Sequence, residues 1–226
     1  MDETLRVVEM SRRLAAALSP GDLDQTLHQV TAAAVEVLPE VSHASISVRH
    51  ADGRLETAAP TDPVLLELDR VQYDLHEGPC YDSAVETQHA AAPDLATDPR
   101  YPRYAPHALA EGIRAQAGIR LFDARDSRGA INLYSRDVGA FRDLEVVGQL
   151  FVHHAATALE YARQIDNLTT AMQSRQLVGQ AVGVVMERFG LDEARAFAFL
   201  TRMAAQHEIK VREVARRLLE ETADQR

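Results

Sequence analysis

The sequence predicts an α+β protein: an N-terminal antiparallel sheet flanked by helices, joined by one long helix to a C-terminal bundle of three helices. Three observations carry this. Short alternating runs, such as Ala44, Ile46 and Val48 set against Ser45, Ser47 and Arg49, read as strands. Apolar residues spaced by threes and fours from Leu144 to Met172 read as one long helix. Beyond Ser174, three shorter amphipathic segments are separated by Phe189-Gly190 with Asp192 and by the stretch before Val211. The implied domains are residues 1–162 and 163–226.

Two amphipathic segments open the chain, Glu3 to Leu18 and Asp22 to Leu38, with Ser19-Pro20-Gly21-Asp22 stopping one and capping the next. His43 to Arg49 and Leu55 to Ala58 form a hairpin about Asp52-Gly53. Helical pieces follow at Pro63 to Val71 and at Cys80 to about Thr87, and Tyr73 to Pro79 is read as the loop between them. His89 to Ala92 is a short strand. After a loop through Pro99 and Pro102, Ala105 to Glu111 is a helix that Gly112 terminates. Ile113 to Phe122 and Gly129 to Tyr134 complete a second hairpin, turning at Asp126-Ser127-Arg128-Gly129. The strand order is left open by the sequence.

The closing helix is expected from near Arg142. Its first half covers the sheet, whereas Ile165, Leu168 and Met172 lie beyond the sheet's edge and suit the same helix of a second subunit. In the C-terminal bundle the first helix places Leu177, Ala181, Val184, Val185 and Arg188 on one side. Gly179 and Gly183, which each cost a helix about 1 kcal/mol relative to Ala, are expected to permit close helix approach. The second helix is expected to bury Ala196, Phe197, Leu200, Met203 and Ala204, and the third Val214, Ala215 and Leu218.

Composition narrows the function. With 46% hydrophobic and 26% charged residues, the chain of 226 residues is an ordinary globular protein. Met-Asp-Glu-Thr at the start lacks a basic, apolar leader, and no run is apolar enough to cross a membrane, so a cytoplasmic location without membrane contact is expected. The single cysteine, Cys80, excludes an intrachain disulfide, a Cys-rich metal site and a catalytic thiol pair. His153 and His154 project about 100° apart on a helix and do not chelate together. Neither metal nor cofactor is expected.

A net charge of −10 argues against indiscriminate coating of nucleic acid. From Gln164 onward, however, nine basic residues balance nine acidic ones, so a local basic face is available. Arg195 and Arg202 flank Phe199 along one side of the second helix, an arrangement that single-stranded bases and phosphates use through stacking and charge. The alternative is Phe199 in the core. Lys210, Arg212, Arg216 and Arg217 make the third helix basic, although Glu213 can pair with Arg217.

Residues 77 to 115, EGPCYDSAVETQHAAAPDLATDPRYPRYAPHALAEGIRA, resemble the GAF domains of actinobacterial regulators in their E-G-P-C helix start, D-L…D-P-R loop and G-[IV]-R strand start. The resemblance implies a sensor with a pocket on one face of the sheet for an unidentified small molecule. Tyr73, His76, Cys80, Tyr101, Tyr104, Asn132 and Tyr134 are its pocket candidates. Cys80 begins a helix, whose dipole would lower a thiol pKa, but a buried and inert thiol is the expectation. The disulfide relay of GAF-type sulfoxide reductases needs a second cysteine, and the N-K-x-F-D-E pattern of cyclic-nucleotide pockets is absent.

Residues 174 to 219, SRQLVGQAVGVVMERFGLDEARAFAFLTRMAAQHEIKVREVARRLL, resemble the ANTAR domain of transcription antitermination regulators. The resemblance implies a dimer that binds paired hexaloop stem-loops in nascent mRNA leaders, so that a competing terminator does not form. RNA polymerase is then affected only indirectly. Arg175, Gln180, Arg188 and Arg202 match polar or basic family positions, and Lys210 and Arg212 its basic region. Val182 stands where many members carry Lys. Arg195, Phe199 and Arg216 complete the candidate RNA-binding set. With Lys210 as its only lysine, the chain lacks the makings of a phosphorylated receiver domain. The reading is therefore a non-enzymatic antitermination regulator. A helix-turn-helix DNA-binding regulator and a GAF sensor or enzyme whose tail only dimerises are the alternatives.

Overall fold

The computed structural model describes residues 5, 8, 9, 12, 22–124, 127–142 and 146–224. Most of the expected helix Glu3 to Leu18 lies outside these residues; Leu5, Val8, Glu9 and Arg12 are helical. The chain forms two compact units, residues 1–163 and 164–226.

The first unit is built on five antiparallel strands: β1 (His43–His50), β2 (Leu55–Ala58), β3 (His89–Ala92), β4 (Ala115–Asp123) and β5 (Ser127–Ser135), in the order β2-β1-β5-β4-β3. Strand periodicity sends alternate side chains to opposite faces. Ala44, Ile46, Ala117, Ile119, Ile131 and Leu133 pack on one face against helix α1 (Leu23–Val37) and the start of the long helix α5 (Val146–Phe189). Asp22 caps α1 by accepting the Gln25 N–H at 2.7 Å.

The other face is covered by α2 (Val64–Leu75), α3 (Pro79–Val85) and α4 (Ala105–Ala110), whose core includes Leu65, Leu68, Leu95, Tyr101 and Ala108. Both faces of the sheet are thus closed. The residues that alternate onto this second face, Ser45, Ser47, Gln116, Asn132 and Tyr134, are buried although most are polar.

Two local expectations need correction. Helix α2 continues through Leu75 and so includes Tyr73, because Gln72 extends its buried stripe and His76, in the left-handed region at φ 52°, supplies the stop. Ser127, Arg128 and Gly129 belong to β5, paired with His50, Arg49 and Val48, rather than to a turn. Arg128 is anchored there by Asp123 at 2.9 Å, and a side chain at Gly129 would strike the Phe122 ring.

Helix α5 runs 44 residues without a break. Phe151, Ala155, Ala158, Leu159 and Ala162 are buried in the first unit, and Ala181, Val182 and Val185 in the second. There the helix packs with α6 (Glu193–Gln206), capped by Asp192, and α7 (Val211–Asp224) around Ala196, Leu200 and Ala215. Phe197, expected in the core, is 49% exposed. It falls one position outside the Ala196, Leu200, Ala204 stripe that faces inward. The expected close approach at the glycines is not found: a Cβ on Gly179 or Gly183 would meet nothing within 4 Å, so among the described residues no other helix approaches them closely.

Glycine substitutions distinguish the two situations. At Gly118 a Cβ would lie 2.2 Å from Ser83 Oγ and 2.4 Å from the Pro79 carbonyl of α3. Gly118→Ala should destabilise the first unit by about 1–3 kcal/mol through overpacking. Gly179→Ala should instead stabilise the second by up to about 1 kcal/mol through helix propensity. Urea unfolding monitored by circular dichroism measures both.

Candidate functional site

Two places concentrate chemically capable side chains, one in each unit. In the first unit, Asp69 sits on the buried stripe of α2, fully enclosed. Ser45 Oγ donates to its Oδ2 at 2.9 Å and Thr57 Oγ1 to the same oxygen at 3.0 Å. The Tyr134 hydroxyl donates to Oδ1. Asn132 Nδ2 donates to Ser45 Oγ and Ser47 Oγ, both at 2.9 Å, while its Oδ1 is buried without a partner.

The cluster extends through Cys80, whose N–H donates to Gln72 Oε1 at 3.0 Å and whose Sγ accepts from Gln116 Nε2 at 2.6 Å. Tyr104 closes it by donating to Gln116 Oε1 at 2.6 Å. The Tyr73 hydroxyl lies 2.6 Å from Ser47 Oγ and 3.1 Å from Thr57 Oγ1. Tyr73 also lines a pocket of about 350 Å³ together with Arg49, Leu55, His76, Tyr81 and Val85.

Burial dominates the electrostatics. It pushes the Asp69 carboxyl up to about 6, against the pull of the Tyr134, Ser45 and Thr57 hydroxyls. Burial also raises the Cys80 thiol and the Tyr73, Tyr104 and Tyr134 phenols, with the Asp69 charge adding to each. Cys80 is therefore a protonated thiol, and the helix start does not activate it.

Of the pocket candidates, Tyr73, Cys80, Tyr104, Asn132 and Tyr134 meet in this cluster. His76 stands outside it, exposed and edge-on to Tyr81. Tyr101 is elsewhere, its hydroxyl donating to Asp82 at 2.7 Å. Sequence reading missed Ser45, Ser47, Thr57, Asp69, Gln72 and Gln116. A legible signal existed at α2, where Asp69 and Gln72 occupy the stripe begun by Leu65 and Leu68.

In the second unit, α5, α6 and the start of α7 enclose an open groove of about 1240 Å³. Its floor is apolar, from Val178, Val182, Met186 and Phe197, with Gly179 and Gly183 leaving the α5 backbone accessible. Arg175, Lys210 and Arg212 stand on it beside the carboxylates of Asp192 and Glu193, and none of the three cations makes an ion pair with another described residue.

The remaining candidates are distributed differently. Arg188 and Phe199 line a separate pocket with Phe189, the two rings 5.6 Å apart, so Phe199 is a half-buried packing residue. Arg195 lies 3.5 Å from Asp192, and Arg202 and Gln180 are exposed outside both pockets. Arg216 is held by Glu213 at 2.6 Å and Glu220 at 2.7 Å. The Arg216 guanidinium, with that of Arg217, draws the Glu213 carboxyl down to about 2. Phe197 is the groove aromatic that sequence reading placed in the core.

Among the described residues no cluster of His, Cys, Asp and Glu could hold a metal, and no helix is long and apolar enough to cross a membrane.

Comparison with known proteins adds two family models: a GAF domain over residues 21–160 and an ANTAR domain over residues 166–219. No curated protein matches the chain. Solved structures share the fold. The free methionine-R-sulfoxide reductase of Neisseria meningitidis, in complex with its substrate, is 14% identical with a TM-score of 0.54, over 73% of this chain and 95% of that one. The GAF domain of a phosphoenolpyruvate-protein phosphotransferase from Coxiella burnetii is 15% identical with a TM-score of 0.55, over 74% and 99%. Escherichia coli SdiA is 14% identical with a TM-score of 0.55, over 92% and 94%. At such identities the likeness extends to the fold alone.

The raised Asp69 pKa has a defined sign in stability. The unfolded aspartate loses its proton in the ordinary range, the folded one only near 6, so the folded state holds the extra proton between them. Stability attributable to Asp69 is therefore fully present below the unfolded pKa and lost as pH rises through about 6. Asp69→Asn removes this dependence. The stability of wild type relative to the variant should fall by up to about 3 kcal/mol across that window, as measured by urea titrations at a series of pH values.

Proposed function

The chain belongs to the GAF domain family and carries an ANTAR domain behind that sensor, and from this premise we propose that it is an RNA-binding transcription antitermination regulator. The first unit senses a signal, and the second binds paired hexaloop stem-loops in nascent mRNA leaders. The observation that carries this reading is the groove in the second unit. Arg175 on α5, Lys210 just before α7 and Arg212 on α7 reach it, none ion-paired with another described residue, around the exposed ring of Phe197. Unpaired cations beside an accessible aromatic suit phosphates and unstacked loop bases.

A duplex reader would present a helix of free base-contacting side chains to the major groove. On α7 the corresponding arginines, Arg216 and Arg217, are tied to Glu213. The single-stranded loop target is favoured for that reason. Catalysis has no part in this reading, and the protein acts in the cytoplasm on RNA emerging from polymerase, touching the polymerase only indirectly.

The RNA-binding form is a homodimer. Tyr161, Ile165, Leu168 and Met172 follow one another at helical spacing along α5, and all are exposed, Met172 by 70%. A helical stretch without tertiary packing is marginal in water, and a second copy of the same stripe provides the missing apolar partner. Two copies also raise the affinity for paired loops without more net charge on each chain.

Gel shifts with a tandem hexaloop RNA test these assignments. Arg175→Ala, Lys210→Ala and Arg212→Ala should each weaken binding several-fold and lower the slope of log affinity against log salt by about 1. Phe197→Ala should weaken binding with little change in slope, and Arg216→Ala should have a small effect. A stronger shift of duplex DNA than of RNA at matched salt would overturn the target class. The double variant Leu168→Glu, Met172→Glu should sediment as a monomer and bind a tandem RNA no better than a single hairpin.

A further inference from the structure

The Asp69 cluster is more than a polar core. A carboxylate closed away from water ordinarily has a cationic partner or is replaced by apolar packing. Asp69 has neither: its partners are the hydroxyls of Ser45, Thr57 and Tyr134 and the Gln72 amide at 3.5 Å. Among the described residues no Lys, Arg or His pairs with it.

A second observation is independent of the carboxylate. Asn132 Oδ1, on the neighbouring strand, is buried and accepts nothing, although its own Nδ2 is held by Ser45 and Ser47 of the same cluster. An orphaned acceptor of this kind is costly unless something donates to it. Both signs point the same way. The chamber has an excess of acceptors and negative charge, and what it lacks is a donor carrying positive charge.

Access exists beside it. The ring of Tyr73 lines the pocket of about 350 Å³ while its hydroxyl closes on Ser47 and Thr57 of the cluster. Tyr73 is the one residue shared by the pocket lining and the cluster. Two side-chain hydrogen bonds, to Ser47 and Thr57, hold its hydroxyl on the cluster.

We infer that the sensor unit binds a small organic ammonium compound, its protonated amine seated between Asp69 and Asn132 Oδ1 with Tyr73 as the gate. An ammonium group has three donors and no acceptor, which matches the two open requirements of the chamber. The outer end of the ligand lies in a pocket lined by Arg49, which makes no ion pair with another described residue, and by Arg70 and Asp74, 3.6 Å apart, so two guanidiniums stand against one carboxylate there. That end is neutral or anionic, so diamines are disfavoured. This site deepens the sensor assignment made above and rests on it for its regulatory meaning.

The test uses the full-length protein with methylamine, ethanolamine and glycinamide as probes, and ethylene glycol and putrescine as the uncharged and doubly charged comparisons. At neutral pH and fixed ionic strength, at least one of the three amines should raise the thermal midpoint and shift amide resonances of β1 and β5. Ethylene glycol and putrescine should do neither. Asp69→Asn should reduce the affinity at least tenfold while circular dichroism stays unchanged, and Tyr73→Phe, which loosens the gate, should increase it. Absence of binding by all three amines, equal binding by ethylene glycol, or undiminished binding by Asp69→Asn would overturn the inference. RNA gel shifts run alongside separate it from the sensor assignment. Amine binding that leaves RNA affinity unchanged keeps the site and removes its role in sensing, whereas intact RNA binding without amine binding removes the site alone.

Discussion

The first unit depends on one constraint, that its sheet is covered on both faces, and on the interaction that makes this tolerable, the enclosure of Asp69 by hydroxyl groups. A sheet with one face in water can place its polar alternates there. Here Ser45, Ser47, Gln116 and Asn132 have no such outlet, because α2, α3 and α4 lie over them. The carboxylate of Asp69 gathers donors from β1, β2 and β5 onto α2, so one side chain joins four elements. Its geometry also explains why Cys80 and three tyrosines around it stay neutral: each is buried beside a negative charge.

Helix α5 presents the opposite situation. Its two ends are buried in different cores, around Phe151 to Ala162 and around Ala181 to Val185. Between them Ile165, Leu168 and Met172 are exposed. Propensity alone does not hold such a stretch well in water. Covalent continuity makes it the path by which a change in the first core can reach the second.

Much of this was legible in the sequence. Strand alternation placed β1, β2 and β3 correctly because turns such as Asp52-Gly53 punctuate them. Asp22 and Asp192 announced their helices as caps, and both accept the expected backbone N–H. What periodicity could not provide was the identity of the second face. Ser45 and Ser47 read as solvent-facing until α2 and α3 are placed over them, since a pattern of two distinguishes faces but not what covers them. The same limit exchanged two aromatics. Phe197 and Phe199 both neighbour the buried Ala196 and Leu200, and only the angle at which α6 meets α5 leaves Phe197 in the groove and sets Phe199 against Phe189.

The charge balance of the second unit bears on how a chain of net charge −10 can recognise a polyanion. Equal numbers of acids and bases would give no net attraction if they were mixed evenly. They are not. Glu213 engages Arg216 and Arg217 on α7, away from the groove, whereas Asp192, which lines the groove with Glu193, lies against Arg195. In the groove three cations, Arg175, Lys210 and Arg212, none ion-paired with another described residue, stand against the two acids Asp192 and Glu193 and share one surface with Phe197. A small, localised cationic site on an otherwise acidic protein binds weakly and non-specifically to few places on a nucleic acid. Under the proposed reading, selectivity comes from shape and from two sites acting together, the form a paired-loop target requires.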